Sequence, residues 1–397
     1  MMNPELVSII SDQSEMLFDK IKGYREYLHQ HPELSFQEVE TMKFVASKLK
    51  ELGIEHQTHV GGTGVLGIIR GIQHDVNQEC IAFRADLDAL PIHEENEVAY
   101  KSMTEGVMHA CGHDFHTSVL LGVAEILQGL RNQLPHPVKL IFQPGEEMNP
   151  GGATLMIADG VLENPKVKHM FALHVFPDME TGKVGVREGL YMASSDEIHL
   201  TIHGVGGHGA IPQNCVNPIE IASEIVLSTK NLLDLEQPDT VPHVISFGFL
   251  EAQGATNVIP SMAQLKGTFR TMNEAWRSRA HEIMNDNFKA IALKYKGEIE
   301  VHIEKGYPYL ENNPALTKRV REQFQLVLGK EKVAELALRM TAEDFAFYSH
   351  LVPVCFYRVG VADSAKSVNY GVHHPKFDID PLSIKVAMKS LTSLAFL

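Results

Sequence analysis

Short apolar runs alternate with longer amphipathic stretches through the first part of this chain, and the same alternation returns near its end. VLGIIRG, CIAFRA, VKLIFQ and MFALHVF read as strands, each bounded by Gly, Pro or acidic residues. LFDKIKGYREYLHQ and QEVETMKFVASKLKELG read as helices, the second closed by Gly53. HTSVLLGVAEILQGL sets Val119, Val123, Ile126, Leu127 and Leu130 on one helical face, and Asp114 is expected to cap its start. Late in the chain, TKRVREQFQLVLG and DPLSIKVAMKSLTSLAFL read as helices around the buried strand VPVCFYRVG. Strands separated by helices predict an α/β domain, a mostly parallel sheet with helices on both faces.

Between these stretches the rhythm changes. DEIHLTIHG is an alternating strand and NPIEIASEIVLSTKNLL a helix; HVISFGFLEA and AQLKGTFRT are strands, EAWRSRAHEIMNDNFKAIALKYKG a long helix, and EIEVHIEKG a closing strand. That order is a split βαβ sandwich, an α+β ferredoxin-like unit complete in itself. The pattern predicts an inserted domain over 189–304 within a larger domain of 1–188 and 305–397. A chain of 397 residues exceeds one compact core, which agrees with two domains.

A formal net charge of -15 without a basic stripe excludes nucleic acid as a partner. No apolar run approaches the roughly 20 residues of a membrane span, so no membrane association is expected. Four scattered cysteines do not make a disulfide scaffold, and the N-terminal stretch lacks the apolar core of a secretion signal, so a cytoplasmic location is expected.

In an open parallel sheet, ligands bind beyond the carboxyl ends of the strands. Asp86 and Asp88 follow CIAFRA, Glu146 and Glu147 follow VKLIFQ, and His174 stands near the end of MFALHVF. HACGHDFHT, with Cys111 and His113, opens the helix between two of these strands, and His373 and His374 come late, before Pro375. Taken singly, a histidine is a hydrogen-bonded core residue, Cys111 a small buried hydrophobe, and the glutamate pair a solvated turn. Together they point to a metal centre. Cys111 and His113 are two apart, so an extended loop directs both to one ion. A thiolate, imidazoles and a carboxylate suit zinc, manganese, nickel or cobalt better than calcium or magnesium. Adjacent glutamates allow one to ligate while its neighbour serves as general base. A redox role for Cys111 would need a resolving cysteine, and none lies close in sequence.

The stretches REYLHQHPELSFQEVET, FRADLDALP, MHACGHDFHT, FQPGEE, ALHV, GVGGHGAIP, ATNVIP, GTFRT, TAEDFAFY and VHHPKFDID run in order from Arg25 to Asp380. With them the chain resembles the aminoacylase and carboxypeptidase family of two-metal amidohydrolases. Within it, the likeness is to the branch of hippurate hydrolase, N-acetyl-diaminopimelate deacetylase and the indole-acetyl-amino-acid hydrolases. The resemblance implies a phosphorylase/hydrolase-like catalytic domain and an inserted lid domain that dimerises. It implies one or two divalent ions per subunit, manganese or zinc before nickel or cobalt, held by Cys111, His113, Glu147, His174 and His373, with His373 rather than His374 in the ligand place. It makes Glu146 the general base. His208 and Asn257 would reach the partner subunit's active site in a homodimer, or in a tetramer of paired dimers, and Arg270 would face the substrate carboxylate. Where the peptidase branches have a histidine ligand this chain has Asp86, and Cys111 stands where they have a bridging aspartate; both match the amidohydrolase branch. The activity implied is hydrolysis of an N-acetyl-, benzoyl- or aryl-acetyl-amino acid to a carboxylic acid and a free amino acid, with a metallo-dipeptidase or carboxypeptidase as the alternative. A metal-storage protein would bind the ion without turnover, and Glu146 with His208 argues against it.

Overall fold

The computed structural model describes residues 2–75 and 78–397. The chain divides into two compact units, one of Met1–Tyr191, Glu311–Ala337 and Asp344–Leu397, the other of Met192–Leu310 and Leu338–Glu343.

The first unit is built on an eight-stranded sheet. Its strands lie in the order Glu55–Val60, Gly64–Ile69, Val138–Gln143, Cys80–Asp86, Val167–Glu180, Val354–Ala362, Val184–Val186 and Val333–Glu335. Cys80–Asp86 pairs in parallel with both Val138–Gln143 and Val167–Glu180, and the latter pairs in parallel with Val354–Ala362. These central strands are mostly apolar because both faces are covered: every residue of Cys80–Asp86 and Val138–Gln143 is buried. Val119, Val123 and Leu127 from helix His113–Gly129 join Val320 and Phe324 from Pro314–Leu328 and Ile384 and Met388 from Ser383–Ser393 in one core. The mostly parallel α/β sheet expected from the sequence is therefore present.

Three local features differ from the expectation. Glu55–Val60 was not legible as a strand, since EHQTHV carries no apolar alternation; it is a margin strand whose residues are largely exposed or half-buried. Gly64–Ile69 runs antiparallel to Val138–Gln143, so that side of the sheet reverses direction. Asp114 does not cap its helix. The helix starts at His113 behind Gly112, with no side-chain cap, because the Asp114 carboxylate is turned to Arg25, His29 and the N–H of Phe115.

The second unit carries a four-stranded antiparallel sheet in the order His243–Glu251, Met262–Thr271, Asp196–His203 and Glu298–Lys305. Each helix-linked pair of strands is separated by one other strand, which is the split arrangement the sequence order called for. Helices Pro218–Glu236 and Glu274–Lys294 begin at Asn217 and Asn273, whose side-chain oxygens accept the orphan N–H groups of Ile219 and Trp276. Their inner faces bury Ile221, Ile225, Ile283 and Phe288 against Ile198, Leu200, Leu265 and Phe269 of the sheet. Among the described residues, no helix is long and apolar enough to cross a membrane.

Candidate metal centre

The polar residues singled out from the sequence gather where the central parallel strands end. Asp86 closes Cys80–Asp86, Glu146 and Glu147 follow Val138–Gln143, and His174 lies within Val167–Glu180. Gly112, at φ +84°, separates Cys111 from His113; a Cβ there would lie 2.8 Å from Val175, so the close approach and the left-handed turn both require glycine. His373 reaches the same place from the turn after Val354–Ala362, its backbone N–H bonded to the carbonyl of Ala110 at 2.8 Å.

Their donor atoms form overlapping groups. Cys111, His113 and His174 have one ligand atom each within 4.8 Å of one another, as do Cys111, Glu147 and His373, and His113, Glu146 and Glu147. Cys111 Sγ lies 3.4 Å from His174 Nε2, and His373 Nε2 lies 3.1 Å from Glu147 Oε1. His374 goes elsewhere: it stacks on Tyr370 at 4.3 Å between centroids, and its Nδ1 accepts the N–H of Lys376.

Neighbouring groups fix which ring nitrogen faces the cluster. His113 Nδ1 donates to the Asp88 backbone carbonyl at 2.8 Å, with Asp88 Oδ1 at 3.1 Å, and His174 Nδ1 donates to the carbonyl of Val175 at 2.9 Å. With Nδ1 committed to donation, Nε2 is the nitrogen of each ring left to meet a ligand. Asp88 also accepts the N–H of Glu147 at 3.0 Å and the hydroxyl of Ser35 at 2.7 Å, so one carboxylate orients two of the candidate donors. Asp86, His113 and His116 form a further group by distance. His116 has no lone pair to offer, however. Its Nδ1 bonds Asp86 at 2.6 Å and its Nε2 accepts the N–H of Val175 at 3.0 Å. Asp86 is in turn gripped by Arg84, which bridges to Asp344 at 2.7 Å, and both are wholly buried. Asp344 donates its N–H to Glu146 at 3.4 Å, linking the network to that carboxylate.

The donor set fits a divalent cation. Among the described residues, buried His113 Nε2 makes no hydrogen bond, and buried Glu147 Oε1 makes none beyond its ion pair with His373. Burial opposes charge on His113, but the carboxylates of Asp86, Asp88 and Glu147 outweigh it and push the imidazole up to about 10. Burial and the carboxylates of Glu147, Glu146 and Asp86 push the Cys111 thiol well above its ordinary range, so a thiolate there needs a cation beside it. Burial and the Arg358 guanidinium hold His174 well below the usual range, keeping it neutral and able to ligate.

On the second unit, His208 and Asn257 are neighbours. Gly207–His208 pairs with Val258–Ile259, and the N–H of Gly209 bonds the Asn257 carbonyl at 2.8 Å. Arg270, half-buried, sits near the far end of Met262–Thr271. Met262 pairs with His203 at the other end of that strand, and Val258 pairs with His208 in a separate two-stranded ladder. At about 3.4 Å per residue the strand from Met262 to Arg270 is about 27 Å long.

Sequence reasoning missed the residues that hold these donors. Nothing in the local pattern marks Arg84, Gln143, His116 and Asp344 as supports, although FRADLDALP, FQPGEE, MHACGHDFHT and TAEDFAFY contain one of them each. Arg25, His29, Glu94, Asp114 and Asp378 form a second buried ionic network at the base of the HACGHD loop.

The comparisons give the family. Residues 82–396 match the model of peptidase family M20/M25/M40. The chain is 35% identical to the N-acetylcysteine deacetylase of Bacillus subtilis (strain 168), with 95% of this chain and 96% of the relative covered. It is likewise 35% identical to IAA-amino acid hydrolase ILR1-like 5 of Arabidopsis thaliana, with 96% and 87% covered. Among solved structures, the Bacillus subtilis YXEP protein, described as a dinuclear metal binding peptidase from the M20 family, superposes with a TM-score of 0.81 at 33% identity, covering 96% of this chain and 98% of that one. The chain belongs to peptidase family M20/M25/M40, a metallopeptidase family, and is a hydrolase acting on amide bonds.

Proposed function

We propose that the protein hydrolyses the amide bond of N-acyl amino acids, giving a carboxylic acid and a free amino acid. The observation that carries this reading is the convergence of buried Cys111, His113 and His174 with half-buried Glu147 and exposed His373, and Glu146 beside them. In this reading those five residues hold one or two divalent ions, manganese or zinc. A bound divalent cation supplies Lewis acidity, polarising the amide carbonyl and making a water molecule easier to deprotonate.

Glu146, buried beside the donor set, takes the proton of the attacking water and returns it to the departing amine nitrogen. His208 donates a hydrogen bond to the oxyanion that develops on the carbonyl, and Asn257 beside it helps hold the substrate. Arg270 binds the substrate carboxylate through its guanidinium fork. In this reading Arg270 and the His208 hairpin serve one substrate from different copies of the chain, in a homodimer with the inserted unit as its dimerisation element. The four unpaired cysteines suit a reducing cytoplasm. The deacetylase and the conjugate hydrolase among the relatives support the acyl-amino-acid class, whereas the solved relative described as a peptidase favours a dipeptide reading.

A panel of acetyl-, benzoyl- and indole-acetyl-amino acids beside dipeptides, run on protein reconstituted separately with manganese, zinc, cobalt and nickel, separates the two. Turnover confined to dipeptides would remove the acylase reading.

A further inference from the structure

Glu38 lies in the stretch PELSFQEVET, has no place among the groups that meet substrate or metal, and is wholly buried. Its carboxylate is fully engaged. Oε1 accepts the N–H of Phe36 at 2.9 Å and the N–H of Gly145 at 2.8 Å, while Oε2 accepts the hydroxyl of Thr63. Gly145 immediately precedes Glu146 and Glu147. The Phe36 ring closes the turn from the other side: a Cβ on Gly145 would lie 2.3 Å from it. Phe36 itself is left-handed, at φ +64°, an unusual backbone state for an aromatic residue that the shared Glu38 oxygen holds in place. One residue earlier, Ser35 donates to Asp88, whose same oxygen accepts the N–H of Glu147. A single stretch of the N-terminal region thus grips both ends of the Gly145–Glu147 turn.

We infer that Glu38 is a positioning residue for Glu146, fixing the Gly145–Glu147 turn through its two backbone hydrogen bonds rather than through its charge. The inference rests on the reading of Glu146 as the acid–base group. A carboxylate that has to meet both a water and a leaving nitrogen is sensitive to displacements of about 1 Å, which cost up to about 10²-fold in rate. Glutamine in place of Glu38 keeps a carbonyl oxygen for both N–H groups and offers an N–H to Thr63, whose hydroxyl also accepts. Alanine removes all of these.

The test compares Glu38→Ala, Glu38→Gln and Gly145→Ala in the full chain, reading kcat, KM, thermal midpoint and the hydrogen exchange of the Gly145 amide in metal-free protein. In Glu38→Ala, kcat is expected to fall about 10²-fold with KM changed by no more than about threefold. The Gly145 amide is expected to exchange about fivefold faster or more. Glu38→Gln is expected to restore kcat and exchange to within about threefold of wild type, which a merely space-filling role would not require. Gly145→Ala, which drives a methyl against Phe36, is expected to lower kcat while the fold persists, and carries the test should Glu38→Ala fail to fold. Wild-type kcat in either alanine variant, equal impairment of the alanine and glutamine variants, or unchanged Gly145 exchange in Glu38→Ala overturns the inference. Glu146→Gln run alongside keeps the two readings apart: turnover surviving there removes the base assignment, and the exchange result then judges the grip on the turn alone.

Discussion

The backbone N–H of His373 bonds the carbonyl of Ala110 at 2.8 Å, tying a turn near the end of the chain to the loop that carries Cys111. That single bond sets the imidazole of His373 against Glu147 and leaves His374 to stack on Tyr370. The two adjacent histidines are therefore expected to behave differently. His373→Ala should weaken metal binding by more than the about 10–100-fold typical of residues that only support a ligand. His374→Ala should leave affinity within about threefold of wild type. Calorimetric titration of each metal-free variant with manganese or zinc measures both.

Metal uptake should release protons. His113, pushed up to about 10, carries a proton at neutral pH in the metal-free protein, and the Cys111 thiol carries another because burial and carboxylates raise it. Both come off when cations take their place, so about two protons per subunit are expected at pH 7 and affinity should climb as pH rises. Titrations in buffers of different ionisation enthalpy count them. Proton-neutral binding would place the ion on other groups.

Asp114 sits wholly buried between Arg25 at 2.8 Å and His29 at 2.7 Å. Burial alone would raise its carboxyl, but Arg25 and His29 win and hold it far below the usual carboxylate range. Because the folded value is the lower one, this stability is present above about pH 4 and is lost as pH falls below it. Asp114→Asn removes the buried carboxylate that Arg25 and His29 share, leaving Asp378 and Glu94 as their remaining partners, and should cost about 3–5 kcal/mol at pH 7. In urea unfolding the gap between variant and wild type should narrow as pH drops from about 5 toward 3.

If His208 serves the partner's site, two crippled chains should repair each other. His208→Ala and Glu146→Gln should each lose about 10²–10³-fold or more in turnover. Mixed dimers contain one site with Glu146 intact and His208 supplied across the interface. An equal mixture allowed to exchange subunits should recover about one quarter of wild-type activity. No recovery on mixing would confine His208 to its own subunit.

How much of this was legible in the sequence follows from where burial is complete. Cys80–Asp86 and Val138–Gln143 lie between covered faces, so most positions are apolar and the runs declare themselves. EHQTHV, at the sheet margin, has no such pressure and reads as loop. The polar residues after the strands were visible because parallel strands deliver their ends to one edge. What holds them was not. The partners of Asp114, Arg25 and His29, are 89 and 85 positions away, so the local pattern suggested a helix cap that long-range ion pairs displaced (114 - 25 and 114 - 29). The difference between His373 and His374 likewise comes from a backbone bond across 263 positions (373 - 110), which no spacing rule contains.

A crystal of the protein soaked with manganese or zinc, with the ion located by its anomalous scattering, decides the matter. The expected result is density within about 2.0–2.3 Å of Cys111 Sγ, the Nε2 atoms of His113, His174 and His373, and a Glu147 oxygen, shared between one or two ions, with Glu146 unligated beside them. An ion bound elsewhere, or none retained with these side chains in place, would contradict the assignment.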